Sequence, residues 1–287
     1  MTPSSGGDQR HARLTLVGTP IGNLGDLSPR AVETLRHADV IAAEDTRRTK
    51  ALLTHAGIPA GRRVRSVRAE NERRAASALV RELRAGAHVA FVTDAGMPGI
   101  SDPGEALVRA CLDADLPVEA VPGPSALVAA LVLSGLPSDR FVFEGFLPRK
   151  GGARRERLES VGAETRTTIL FESPRRVAAT LADLEAACGG DRPSAVAREL
   201  TKAHEEVWRG SLADAVRALS GEARGEHVIV VGGAAERDSV GDDIVSAAVD
   251  RALDAGASPR DAAAEVSRTL RIPRRRAYEM AITRRRP

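Results

Sequence analysis

The residues best placed to do chemistry fall in two loops and at a handful of strand ends. The run Asp94-Ala-Gly-Met-Pro-Gly-Ile-Ser-Asp-Pro-Gly104 holds three glycines and two prolines, a composition no regular element tolerates. Its eleven residues exceed the roughly 2–6 of an ordinary strand-to-helix connection. A second loop, Pro122-Gly-Pro-Ser-Ala126, has the same character. Glycine lets backbone N–H and C=O groups approach a ligand, and proline stiffens the approach. The pair reads as a small-molecule site built largely from backbone. Carboxylates stand at other strand or loop ends: Asp45, Glu72, Asp102, Glu172 and Glu199, with Lys202 as a cation. Each also has a plainer role. Asp45 could cap the helix after it, Asp102 before Pro103 could form a turn, and Glu199 and Lys202 could be a surface pair three residues apart. The six histidines show no pairing that suggests a metal or a nucleophilic triad.

The elements that position these groups alternate. Leu14–Val17, Val40–Ala43, Val64–Val67, His88–Thr93 and Val118–Val121 are short runs bearing β-branched residues, each followed by a helical pattern. Ser28-Pro29 supplies a helix cap and a proline at the first helical position, and Gly57 stops the next helix. Such alternation means a doubly wound parallel sheet, whose ligands bind outside the carboxyl ends of the strands. The loop after the first strand, Gly18-Thr-Pro-Ile-Gly-Asn-Leu-Gly25, is glycine-rich. It is not the dinucleotide fingerprint, and it lacks the lysine of a phosphate-binding loop.

Leu136–Asp139 reads as a hinge into a second α/β domain, with strands at Phe141–Pro148, Thr167–Phe171, Ala195–Ala197, Glu205–Arg209 and His227–Val231. Ser173-Pro174 is expected to cap the helix that reaches Gly189. Beyond Ala234 the composition turns helical. Asp242–Ala255 is amphipathic, Ser258-Pro259 opens a second helix with Asp261 placed as in a capping box, and Pro273 opens a third. The last two make a helix-turn-helix-like pair. The expected fold is therefore α/β, with a disordered tail at 1–13, one domain at 14–135, a second at 136–235 and a small helical module at 240–287.

The 287 residues suit more than one domain and allow roughly three quarters of the unfolded surface to be buried. Aromatics are only 2 %, so the cores must be Ala, Val and Leu. Two cysteines far apart in sequence, without nearby ligand partners, argue against a zinc site and for a reducing compartment. No signal-like segment or membrane-length apolar run is present, and a cytoplasmic location is expected. The net charge is only +3, but basic residues cluster. Arg149 to Arg157 holds five basic residues against one glutamate, and Glu265 to Pro287 holds eight arginines against two glutamates. A charge run is commonly a solvated face; two on a chain otherwise near neutral point to phosphate contact. Arg154, Arg155, Arg274, Arg275 and Arg276 are the expected phosphate contacts, adding affinity rather than sequence choice.

Seven motifs occur in order: Thr19-Pro-Ile-Gly-Asn-Leu24, Ala43-Glu-Asp-Thr-Arg47, Asp94-Ala-Gly-Met-Pro98, Ser101-Asp-Pro-Gly104, Pro122-Gly-Pro-Ser-Ala126, Glu144-Gly-Phe146 and Arg198-Glu-Leu-Thr-Lys202. Together, over about residues 14–233, they resemble the tetrapyrrole-methylase superfamily. They are most similar to its ribosomal RNA branch, the small-subunit ribosomal RNA cytidine 2′-O-methyltransferases. The C-terminal helices are similar to the module appended in that branch. The chain departs from the family's pattern at Phe171 and Arg175, where tyrosine and histidine are usual, and at Val67–Glu72, which keeps only Asn71 and Glu72.

The resemblance implies S-adenosyl-L-methionine bound between two α/β domains, a homodimer, and methyl transfer to a cytidine 2′-oxygen in the decoding centre of 16S rRNA on the small ribosomal subunit. Cofactor-binding roles carry over to Pro20, Asp94, Gly96, Met97, Pro98, Ser125, Ala126, Phe171 and Leu200. Methyl transfer from a sulfonium is a direct displacement that needs alignment, and the 2′-hydroxyl, a poor acid, gains from a base or a polarising cation. Asp45, Glu172 and Lys202 are the expected catalytic groups. Two alternatives remain open: a tetrapyrrole methylase of the same fold, and a non-catalytic RNA-binding protein. Steep salt dependence of RNA binding would argue against the first, and tight cofactor binding against the second.

Overall fold

A computed structural model describes residues 12–221, 224–235, 241–270 and 272–283. The expected tail lies, up to residue 11, outside the described residues. The chain forms two compact units, residues 1–234 and 235–287.

The first unit contains two sheets. In the first, β1 (Arg13–Val17), β2 (Val40–Ala43), β3 (Val64–Ser66), β4 (His88–Val92) and β5 (Val118–Val121) are all parallel, in the order β3-β2-β4-β1-β5. β2 and β4 are buried at every residue, which is why they read as unbroken apolar runs rather than as alternation. On one face, α3 (Glu72–Arg84) and α4 (Glu105–Leu112) close over Leu14, Phe91, Leu79, Leu83 and Leu107. On the other, α1 (Pro29–His37) and α2 (Thr46–His55) close over Ile41, Ala43, Leu35 and Leu53. Ser28 caps α1 by accepting from the Ala31 N–H, with Pro29 in the first turn as expected.

The second sheet is mixed. Its strands are β6 (Phe141–Phe146), β7 (Thr167–Glu172), β8 (Pro193–Arg198), β9 (Glu206–Ser211) and β10 (His227–Val231), in the order β6-β7-β10-β8-β9. Only β6 and β7 run parallel. α6 (Gly152–Ala163), α7 (Val177–Cys188) and α8 (Leu212–Ala218) lie along this part of the chain, and Val161, Leu181, Leu184 and Leu212 pack with Leu170 and Ile229.

Two boundaries differ from expectation. The helix after β7 starts at Val177, not at Ser173. The Ser173 N–H and hydroxyl both donate to the Glu172 carboxylate, at 2.8 and 3.3 Å, and the residue before the helix is Arg176, whose side chain makes no cap. The helix opened by Ser125, α5 (Ala126–Ser134), leaves the first sheet and packs on the second. Its Ala130 and Leu131 meet Ile169, Ala195, Ala197, Val228 and Val230. The helix is apolar all round, and the face that carries Ala130 and Leu131 is buried against the neighbouring sheet. The junction expected at Leu136 thus falls after an element that already belongs with the second sheet.

In the second unit, α9 (Asp242–Asp254), α10 (Pro259–Leu270) and α11 (Arg274–Thr283) enclose Val245, Val249, Ala263, Val266, Ala277 and Ala281. The Asp261 N–H donates to Ser258 Oγ at 3.2 Å, the cap legible in the sequence. Among the described residues no helix is long and apolar enough to cross a membrane.

Candidate cofactor cleft and catalytic groups

The strand order places β1 between β4 and β5, so three loops leave one carboxyl edge side by side. They are joined by backbone. The Thr19 N–H donates to the Gly96 carbonyl at 2.9 Å and the Gly96 N–H returns to the Thr19 carbonyl at 3.1 Å. On the other side Gly18 and Gly123 touch directly: a Cβ on Gly123 would stand 2.8 Å from Gly18 Cα. Two glycines are required there because no side chain fits between the two main chains.

These loops face the second sheet across a cavity of about 310 Å³, at the lower end of the roughly 300–1,000 Å³ usual for small-ligand pockets. Gly96, Met97, Ser125, Ala126, Phe171 and Leu200 line it, six of the nine cofactor residues expected from sequence. Pro98 is buried and does not line it. Pro20 and Asp94 line an adjoining hollow of about 320 Å³ with Lys202. The two hollows share Ile21, Ala95 and Glu226. The Ser125 side chain makes no bond to the helix it begins, which leaves its hydroxyl and the first N–H groups of α5 able to hold a carboxylate. Phe171 is braced edge-on by Phe143, with ring centroids 4.9 Å apart.

The charged groups sort by geometry. Asp45 does not line the cleft. It caps α2, accepting from the Arg47 N–H at 2.7 Å, and this bond holds its carboxyl below the usual range. Its own N–H donates to Asp94 Oδ1 at 3.1 Å, and Asp94 pairs with Arg48 at 3.3 Å. Glu172 reaches the cleft wall but is only 3 % exposed, with both oxygens engaged. One accepts from Ser173; the other accepts from the Thr180 hydroxyl at 2.7 Å and pairs with Arg176 at 3.3 Å. Lys202 is clamped by Glu199 at 2.8 Å and Glu226 at 3.0 Å. Burial works against its charge, but those two hydrogen bonds prevail and hold the ammonium above its usual range.

Asp102 lines the cleft and makes no ion pair among the described residues. Burial, reinforced by the negative charge of Glu44, pushes its carboxyl up to about 6, opposed by the Thr93 hydroxyl. Glu72 has the structural role. Its Oε1 accepts from the N–H groups of Gly104 and Ala106, both at 2.9 Å, and of Leu107 at 3.3 Å, so a side chain from α3 caps α4 and anchors the end of the long loop.

The arginines divide too. Arg154 is 12 % exposed and is spent on Asp183, the Thr180 hydroxyl and the Pro148 carbonyl. Arg276 is 16 % exposed and holds Asp242. Both are built into their units, against the expectation that they meet phosphate. Arg155, Arg274 and Arg275 are exposed. Sequence reasoning missed Ile21, Ile100, Leu127 and Val228 in the cleft wall. Leu127 and Val228 are ordinary apolar residues of regular elements, and Ile21 and Ile100 lie in loops whose signal came from their glycines and prolines. Phe146 was read as strand and not as cleft.

A cleft between two α/β layers, floored by strand-end loops, has the form of a binding site for a compact small molecule. The same architecture occurs in a cobalt precorrin-4 methyltransferase of cobalamin biosynthesis (TM-score 0.58, 19 % identity, 79 % of this chain and 97 % of that one). It also occurs in a uroporphyrin-III C-methyl transferase from Thermus thermophilus complexed with S-adenyl homocysteine (TM-score 0.55, 22 % identity, 77 % and 97 %). Residues 13–216 match the family described as Tetrapyrrole (Corrin/Porphyrin) Methylases. Proteins named Ribosomal RNA small subunit methyltransferase I are similar over most of their length. One from Synechocystis sp. is 44 % identical over 94 % of this chain and 97 % of its own, and one from Mycobacterium bovis is 48 % identical over 89 % of each. The chain belongs to the tetrapyrrole methylase family and is a methyltransferase of it.

Proposed function

We propose that the protein methylates the 2′-oxygen of a cytidine ribose in the decoding centre of 16S rRNA, with S-adenosyl-L-methionine as donor. The observation that carries this is the convergence of Gly96, Met97, Ser125, Ala126, Phe171 and Leu200 on one cavity of ligand size. The rRNA-methyltransferase names of the relatives give the substrate class. The residues fit the cofactor. Met97, Phe171 and Leu200 offer apolar walls, Ser125 and the α5 N-terminus suit its carboxylate, and Asp102 at the rim suits its cationic sulfur.

When bound, the cofactor supplies a methyl carbon already activated for displacement. The protein must bring the ribose oxygen in line with it and receive a proton. With the cofactor held in the cleft, Asp102 would accept the ribose hydroxyl proton as the 2′-oxygen takes the methyl group. Glu172 orders the turn to Arg176 and Lys202 holds the Leu200 segment, so both act by positioning. Asp45 keeps Asp94 in place. A second copy of the chain fits the outward face of α5, where Val132 is 70 % exposed beside exposed Val128. This supports the homodimer. Acting on ribosomes places the enzyme in the cytoplasm.

The test is transfer of labelled methyl from S-adenosylmethionine to small ribosomal subunits that lack their modifications, with the labelled nucleotide then mapped. Label on one cytidine ribose is expected. Label on a tetrapyrrole and none on RNA would refute the reading.

A further inference from the structure

Next to the cofactor cleft lies an open hollow of about 660 Å³ in which Phe146, Pro148, Arg149 and Arg175 converge. Phe146 and Ser173 line both spaces, so the hollow continues the cleft outward. We propose that it seats the RNA strand beside the methylated nucleotide, with Phe146 stacking on a base and Arg149 and Arg175 each holding a phosphate. This rests on the reading that the substrate is RNA, and it names the residues that grip it.

Three observations carry it. Phe146 is 54 % exposed in a chain with seven aromatic residues, and it is not loose. Phe171 meets it edge-on at 5.8 Å, and a bulge between Phe143 and Gly145, with Gly145 at φ 63°, turns it outward from β6. A rigid exposed ring at the mouth of a cleft is a stacking platform for a nucleobase, and every base offers a π-face. Second, Arg149 and Arg175 are exposed and make no hydrogen bond or ion pair among the described residues. Their neighbour Arg176 is instead committed to the Leu147 carbonyl at 2.9 Å and to Glu172. Unneutralised guanidinium groups that share a hollow with an aromatic ring suit a strand that alternates phosphate and base. Third, Arg175 stands two residues after Ser173, which lines both spaces.

The test uses the full chain with Arg149→Ala, Arg175→Ala, the double variant and Phe146→Leu. Binding to unmodified small ribosomal subunits is measured across salt concentrations, together with KM, kcat and cofactor affinity by calorimetry. Each arginine removed should flatten the log K against log salt slope by about 0.7–0.9. The double variant should raise KM for the subunit about tenfold or more, with cofactor affinity unchanged. Phe146→Leu should weaken RNA binding by roughly 5–150-fold with the salt slope intact. A double variant with wild-type slope and KM overturns this proposal alone. A wild-type protein that neither binds nor methylates the subunit overturns it together with the reading beneath it.

Discussion

Asp102→Asn separates the proposed proton acceptor from every structural carboxylate around it. With its carboxyl at about 6, Asp102 is ionised in about a tenth of molecules at pH 5 and about nine tenths at pH 7. Single-turnover methyl transfer at saturating cofactor should therefore rise about tenfold between those values and level off above pH 7. The asparagine variant should be slower by about 10²-fold or more at pH 7, and the acid limb should vanish. Cofactor affinity should weaken only several-fold, because the lost charge sits at the rim. Stability should move the other way. The folded-state value lies above the unfolded value of 3.8, so folding binds the proton. Asp102 therefore costs nothing below pH 3.8, and its burial penalty is complete above pH 6. The neutral amide of the variant carries no such penalty, so its melting temperature should exceed the wild type's at pH 8, with the gap closing toward pH 4. A variant within threefold of wild-type rate, or one that keeps the acid limb, would refute the assignment.

Gly123→Ala drives a methyl to 2.8 Å from the Gly18 main chain, which cannot yield. A loss of about 1–3 kcal/mol in urea denaturation is expected, with weaker cofactor binding by calorimetry. Glu72→Ala strips three N–H groups at the start of α4 of their acceptor. The cost should be about 1–2 kcal/mol by the same measurement, with several-fold weaker cofactor binding as the Ser101–Gly104 segment loosens. Arg154→Ala removes hydrogen bonds from a nearly buried guanidinium whose partner Asp183 is half-exposed, for about 1–3 kcal/mol, without change in the salt slope of RNA binding. Arg155→Ala, on the exposed face of the same helix, should stay within about 0.5 kcal/mol of the wild type.

The strands and the two loops are legible in the sequence because their causes are local. Val40–Ala43 and Val118–Val121 form strands with the same limits that the sequence suggests, because short valine-bearing runs between two helical patterns suit a parallel sheet. The loop from Asp94 to Gly104 announced a ligand because its glycines and prolines exclude every regular alternative. Convergence of Phe171 and Leu200 on that loop came from motif resemblance, since no spacing links residues a hundred positions apart.

Other features depended on strand order and side-chain reach, which are properties of the fold. β1 lies between β4 and β5, and so Gly18 meets Gly123. α5 follows a strand of the first sheet in sequence yet packs on the second, because there its Ala130 and Leu131 are covered. The carboxylates look alike in a sequence. Only their surroundings made Asp45 a helix cap, Glu72 the cap of a helix 32 residues on, Glu172 a buried anchor, and Asp102 the acid raised to about 6 at the cleft. The arginines divided for the same reason. Charge is written in the residue type, but whether it is already neutralised, as in Arg154, or left open, as in Arg175, is decided by what the fold brings within 3 Å.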